Sequence, residues 1–103
     1  MDGLVKELDH LIDLGSQTLE AKRETIQFHM DRGLFPYSKR YLGHLNNHFS
    51  TIGVNGMNEM VRNFTGDQYD ITDPAGFDMC CSILDHIRER MVELQEATGH
   101  MYN

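Results

Sequence analysis

Residues 47–59, which read Asn-His-Phe-Ser-Thr-Ile-Gly-Val-Asn-Gly-Met-Asn-Glu, constrain the fold of this chain more than any other stretch. Phe49, Thr51, Ile52 and Val54 are aromatic or β-branched and suit a pleated strand. Gly53 lets a neighbouring backbone come close, and Asn55-Gly56 is a turn dipeptide. Met57, Met60, Val61 and Phe64 then recur at helical spacing until Gly66 stops the pattern. A strand that turns through Asn-Gly straight into a helix is the connection from which α/β barrels and doubly wound sheets are built. Only one such strand is legible, which points to a piece of a larger structure. The expected class is mainly α, with two long amphipathic helices, one or two short helices and a single short strand.

The first long helix is predicted from about residue 3 to residue 32. Leu4, Leu8, Leu11, Ile12, Leu19, Ile26 and Met30 form its apolar stripe, and Gly33 caps its C-terminus. Gly15-Ser16 interrupts the stripe and predicts a kink or a break, because a mid-helix glycine costs about 1 kcal/mol relative to alanine. Phe35-Pro36-Tyr37 predicts an extended connection, since the residue before proline avoids the helical region. A short helix follows over residues 38–45. Asp73-Pro74 announces the second long helix over residues 73–98, with Asp73 as N-cap and Pro74 at the first helical position. Phe77, Cys80 or Cys81, Leu84, Ile87, Met91 and Leu94 supply its stripe, which ends at Gly99. Glu20 with Arg23, and Asp85 with Arg88, are spaced as surface ion pairs.

A chain of 103 residues suits one domain, residues 1–103. Such a domain buries roughly 60 to 65% of its unfolded surface, so marginal stability is expected. The net charge of −7 is uneven: residues 1–52 carry seven acids against six bases, and residues 53–103 nine against three. That sign repels phosphate backbones and disfavours nucleic acid as a partner, and Lys39-Arg40 is too small a basic cluster to reverse it. No apolar run reaches the roughly 18 to 20 residues of a membrane span, and residues 1–3 begin no signal peptide. The chain reads as cytoplasmic. Its cysteines, Cys80 and Cys81, are adjacent, which all but excludes a disulfide between them.

Few residues are arranged for chemistry. His44 and His48 are four apart and could seat a metal on one helical face. The stronger reading is structural: no cysteine or carboxylate stands at ligand spacing, and Asn46-Asn47 ends the helix between them. Cys80-Cys81 could suggest thiol chemistry, but the acidic surroundings disfavour a thiolate, and one of the pair must lean toward the core. Met30, Met57, Met60 and Met91 fall on helical stripes and read as core filling. Gly53-Val54-Asn55-Gly56 before a helix could cradle a phosphate, yet it matches no phosphate fingerprint and serves equally as a tight turn. Asn58 and Glu59 could face a pocket or simply complement the helix dipole.

Three separated blocks, in order, resemble one known family. They are Leu-Phe-Pro-Tyr-Ser-Lys-Arg-Tyr-Leu-Gly at residues 34–43, His-Phe-Ser-Thr-Ile-Gly-Val-Asn-Gly-Met-Asn-Glu at residues 48–59, and Thr-Gly-His-Met-Tyr-Asn at residues 98–103. Together they resemble an internal segment of the anaerobic (class III) ribonucleoside-triphosphate reductases, which are glycyl-radical enzymes. The resemblance covers essentially the whole chain.

The resemblance implies a parent enzyme that reduces ribonucleoside triphosphates to deoxyribonucleotides. A glycyl radical makes a transient thiyl radical, which abstracts the ribose 3′-hydrogen. It implies a ten-stranded α/β barrel, an N-terminal nucleotide-binding regulatory domain, a C-terminal four-cysteine zinc site and a radical-SAM activating enzyme as partner. None of these added parts is recognisable here. The family's thiyl-forming cysteine lies upstream of the matched region, so neither Cys80 nor Cys81 inherits that role. The family continues after the segment matching Tyr102-Asn103 with a stretch that helps line the substrate site. On this reading the chain is one barrel strand with its flanking helices. Ser50, Thr51, Asn55, Asn58 and Glu59 then form a segment that supports the substrate pocket from behind. No catalytic residue and no cofactor are assigned, and the chain alone is expected to be inactive. The alternative is a small helical interaction module that binds a partner or itself, a symmetric dimer being the expected assembly. On either reading the chain is expected to self-associate, the lone strand over residues 49–54 pairing with a second copy.

Overall fold

The computed structural model describes residues 1–103, and helices carry most of them: α1 (Asp2–Asp31), α2 (Pro36–Leu42), α3 (Met57–Thr65) and α4 (Pro74–Thr98), with a 3-10 turn at Leu45–Asn47. The class is mainly α, with two long helices, as the periodicity predicts. The strand is the main departure. Residues 49–54 form none, and only Ser50 takes part in an isolated parallel β-bridge, to Tyr102. β-propensity reports how well a side chain suits a pleated, half-buried surface, and here a single short neighbour supplies that surface.

Local chemistry sets the helix ends. Gly33 adopts φ 94° after α1, its N–H bonds to the Met30 carbonyl at 3.1 Å, and Leu34 N–H reaches the His29 carbonyl at 2.9 Å. These are the two bonds of a Schellman cap. Gly66 closes α3 in the same way at φ 62°, with Asp67 N–H on the Arg62 carbonyl at 2.7 Å. Gly56 enters α3 at φ 75°, as the Asn-Gly turn requires. Asp73 accepts Phe77 N–H on its carbonyl at 2.8 Å and so occupies the N-cap position before Pro74.

Three local expectations fail. α1 runs unbroken through Gly15-Ser16, where Ser16 is buried and its hydroxyl donates to the Asp13 carbonyl at 2.9 Å, satisfying it within the helix. Phe35 is left-handed, at φ 55° and ψ 53°, rather than extended, and α2 starts at once with Pro36 in its first turn. Gly53 has open space where a Cβ would stand, so no backbone approaches it.

The chain packs as two compact units, one formed by Met1–Ile52 with Val92–Asn103 and the other by Gly53–Met91. In the first unit Ile12, Met30, Leu45 and Tyr102 are buried together with the polar Ser16, Arg23 and Ser50. In the second the buried set is Val61, Cys80, Ile83, Ile87 and Met91. Leu11, Phe77 and Leu84 belong to the expected stripes but are exposed, Leu84 at 49% against 2% for Ile83. One step along a helix turns a side chain by about 100°, so a wide apolar stripe leaves open which of two neighbours faces inward.

In the second unit the connection from α3 to α4 is bound by its own polar groups. Asn58 Oδ1 accepts Ile71 N–H at 3.0 Å, and Asp73 Oδ2 accepts Asp70 N–H at 2.9 Å. Asp70 Oδ1 accepts the Thr72 hydroxyl at 2.6 Å and Thr72 N–H at 2.8 Å. The Thr72 hydroxyl first, then its N–H, hold the Asp70 carboxyl below its ordinary 3.8. The connection also presses on α4: a Cβ at Gly76 would lie 1.8 Å from the Asp70 carbonyl oxygen.

Candidate functional site

The most concentrated polar chemistry lies in the first unit, where α1 sends two charged side chains to opposite tasks. Glu20 and Arg23 stand one turn apart, a spacing that predicts a mutual ion pair. Each is engaged elsewhere instead. Arg23 is 8% exposed, and its Nη1 and Nη2 donate to the carbonyls of Leu45 and His48. A second donation from Nη2 reaches Ser50 Oγ at 3.1 Å. A planar guanidinium can serve three acceptors on one irregular segment, which an ammonium cannot do with the same geometry. Gln27, one turn further on, adds Oε1 as acceptor for Leu45 N–H at 3.0 Å.

Glu20 faces the C-terminal residues. Its Oε1 accepts the Tyr102 hydroxyl at 2.6 Å, and His100 Nδ1 stands 2.7 Å from its Oε2. Tyr102 is 3% exposed. Burial pushes its phenol up from 10 to about 12, the hydrogen bond to Glu20 and the charge of that carboxylate act the same way, and Arg23 opposes them. Tyr102 N–H donates to Gln95 Oε1 at 3.0 Å.

These two anchors bring residues 50–52 and 101–103 side by side. Ser50 N–H reaches the Met101 carbonyl at 2.8 Å, Asn103 N–H reaches the Ser50 carbonyl at 3.1 Å, and Ile52 N–H reaches the Asn103 carbonyl at 2.8 Å. That alternation is a parallel ladder in its first rungs. Thr51 hydroxyl to Asn103 Oδ1 at 2.6 Å adds a side-chain tie. Beside the ladder lies a cleft of about 510 Å³, walled by Leu19, Ile26 and Met30 of α1, Phe35 just before α2, Leu42 of α2, and residues 49–51. Lys22 and Arg23 line it and no carboxylate does.

Of the segment expected to support a pocket, Ser50 and Thr51 line this cleft. Asn55, Asn58 and Glu59 belong to the other unit: Asn55 is exposed, Asn58 holds the Ile71 amide, and Glu59 lies in the first turn of α3. His44 Nδ1 accepts Asn46 N–H at 3.2 Å as the cap of the 3-10 turn and His48 follows that turn, so the two rings do not share a helical face. Cys80 is buried and Cys81 exposed, both as free thiols. One buried and one exposed neighbour do not fit a four-cysteine zinc site, and no three His, Cys, Asp or Glu residues are grouped as metal ligands. Arg23, Glu20, His100 and Tyr102, which build the site, carry no local signal, because their partners lie 22 to 82 residues away.

Compared with families of known proteins, all of residues 1–103 match the anaerobic ribonucleoside-triphosphate reductases. The chain belongs to that family. No curated protein and no solved structure matches it. Within this reductase chain, no helix is long and apolar enough to cross a membrane.

Proposed function

We propose that the chain is a barrel-building segment of an anaerobic ribonucleotide reductase, one that positions the substrate barrel and does not catalyse by itself. The parallel ladder between residues 50–52 and 101–103 carries this reading. Parallel neighbours cannot be joined by a hairpin; they need a crossover, usually helical, and here residues 53–100 supply α3 and α4 between the paired segments. Strand, helical crossover and parallel strand make the repeating unit of an α/β barrel. Arg23 and Glu20 then serve as the pegs that hold two adjacent barrel strands against α1. Ser50 and Thr51 keep the role of support beneath the substrate, and no radical-bearing residue is assigned.

The experiment has two arms. Purified chain, supplied with a reductase-activating enzyme, reductant and ribonucleoside triphosphate, is expected to give no deoxyribonucleotide. Exchanged for the matching segment of a complete family reductase, it is expected to support turnover, and Arg23→Ala in that chimaera to abolish it together with thermal stability. Turnover by the isolated chain, or a folded chimaera that is inactive, overturns the proposal.

A further inference from the structure

The Asn-Gly turn before α3 carries chemistry of its own. Asn55-Gly56 is the only asparagine-glycine pair in the chain, and residues 53–56 are exposed and belong to no helix or strand. The backbone is tied down on either side of Asn55. Ile52 N–H reaches the Asn103 carbonyl at 2.8 Å, and the Gly56 carbonyl accepts Met60 N–H at 2.9 Å. Between those ties Gly53, Val54 and Asn55 make no hydrogen bond, and the Gly56 N–H has no acceptor. A segment without such bonds opens at almost no free-energy cost, so Asn55 is free to rotate against its neighbour.

An asparagine carboxamide is an electrophile, and the nearest nucleophile is the amide nitrogen of the next residue. Glycine leaves that nitrogen unhindered, because it has no Cβ and adopts either sign of φ without strain. Attack of Gly56 N on Asn55 Cγ closes a succinimide ring and expels the carboxamide nitrogen as ammonia, which takes the proton of the Gly56 amide. Water then opens the ring. Cleavage between Gly56 N and Cγ leaves aspartate. Cleavage between Gly56 N and the main-chain carbonyl carbon leaves isoaspartate, with the chain running through Cβ and Cγ. The net change is carboxamide plus water to carboxylic acid plus ammonia, and nothing is oxidised or reduced.

The other internal asparagines lack these conditions. Asn46 and Asn47 lie in the 3-10 turn, and the His48 N–H that follows Asn47 is held by the Leu45 carbonyl at 2.9 Å. Asn58 and Asn63 are inside α3, and Asn58 also holds the Ile71 N–H at 3.0 Å. We infer that Asn55 is a self-modification site, converted to isoaspartate and aspartate by attack of Gly56, and that the isoaspartyl form loosens the first turn of α3. The added backbone atom displaces the Gly56 carbonyl from the Met60 N–H it accepts. The two reacting residues are neighbours in the chain and water is the only co-reactant, so the reaction does not depend on the barrel reading.

The full chain is incubated in neutral buffer, with and without guanidinium chloride. Conversion at each asparagine is followed by peptide mapping with fragmentation that separates aspartate from isoaspartate. In the folded chain Asn55 is expected to convert at least about tenfold faster than Asn58 or Asn63, a difference of about 1.4 kcal/mol in barrier. Denaturant should speed Asn55 by less than about threefold, because the native segment already moves freely, while it releases Asn58 and Asn63 from α3. Asn55→Gln would have to close a larger and slower ring, and should fold unchanged and gain no acid at this position. Gly56→Asn keeps a residue that tolerates left-handed φ but puts a Cβ on the attacking residue, and should slow Asn55 at least about tenfold. The same slowing is expected in denaturant, where folding of the variant is immaterial. In the isoaspartyl fraction, isolated by its added charge on anion exchange, the Met60 amide should exchange with solvent faster than in the unaltered chain. The proposal fails if Asn55 converts no faster than Asn58 and Asn63, or if denaturant speeds it beyond that threefold limit. It fails equally if the isoaspartyl form leaves Met60 exchange unchanged.

Discussion

Arg23 shows how much a single side chain organises here. Its guanidinium holds the Leu45 and His48 carbonyls and the Ser50 hydroxyl, while Glu20, one turn earlier, holds Tyr102 and His100. The Tyr102 phenol reports on this arrangement through pH. Its acidity lies at about 12 in the folded chain against 10 ordinarily, so the unfolded chain loses the proton first. The stabilisation is full below pH 10 and is lost as pH rises toward 12, by about 2 to 3 kcal/mol for a shift of that size. Tyr102→Phe should therefore cost about 1 to 2 kcal/mol near neutrality, where the half-buried Glu20 carboxylate loses its phenol donor. Its stability should converge on that of the unaltered chain in strongly alkaline solution. Denaturant titrations of both proteins at pH 8, 10 and 12 check this, and a gap that stays constant with pH would contradict it. None of this is legible in the sequence. Spacing along α1 suggests that Glu20 and Arg23 pair, and only the return of residues 100–102, some 80 positions later, gives Glu20 a better use.

At the scale of elements, turn and cap chemistry was readable because it is local. Gly33, Gly56 and Gly66 take the positive φ values that a helix exit or a turn requires, and Asp73-Pro74 opens α4 as its residue types dictate. What the neighbours of an element demand was not readable. Gly15 looked like a breaker, yet α1 is continuous there and a Cβ would meet Ile52 Cδ1 at an ordinary 3.9 Å. Gly15→Ala should raise stability by up to about 1 kcal/mol, or about 4 to 8 °C in thermal midpoint. Gly76 carries no signal of its own in the sequence, yet its missing Cβ admits the Asp70 carbonyl, so Gly76→Ala should cost about 3 kcal/mol through backbone displacement. Thermal scans of the two alanine variants should thus move in opposite directions. Rotation of α4 gives a further contrast. Ile83→Ala should cost about 2 to 4 kcal/mol, whereas Leu84→Ala, one residue on but half exposed, should cost less than about 1 kcal/mol by denaturant midpoint.

For the whole molecule, the sequence carried the family and the helical class, while the pairing that gives the family reading structural content came only with the fold. Residues 49–54 have the composition of a strand but find one short parallel neighbour at residues 101–103. On the proposed barrel reading both edges of such a strand would be paired and both faces covered, and strand-forming residues in this segment would be put to use there. The proposed barrel unit requires residues 101–103 to lie beside residues 50–52 in parallel register. The measurement that tests it most directly is NMR of the isolated chain, reading hydrogen exchange at Ser50, Ile52 and Asn103 together with nuclear Overhauser contacts between residues 50–52 and 101–103. Slow exchange at those three amides, with cross-segment contacts in parallel register, is the predicted result. Exchange at the rate of an unstructured peptide, or contacts in antiparallel register, would contradict it.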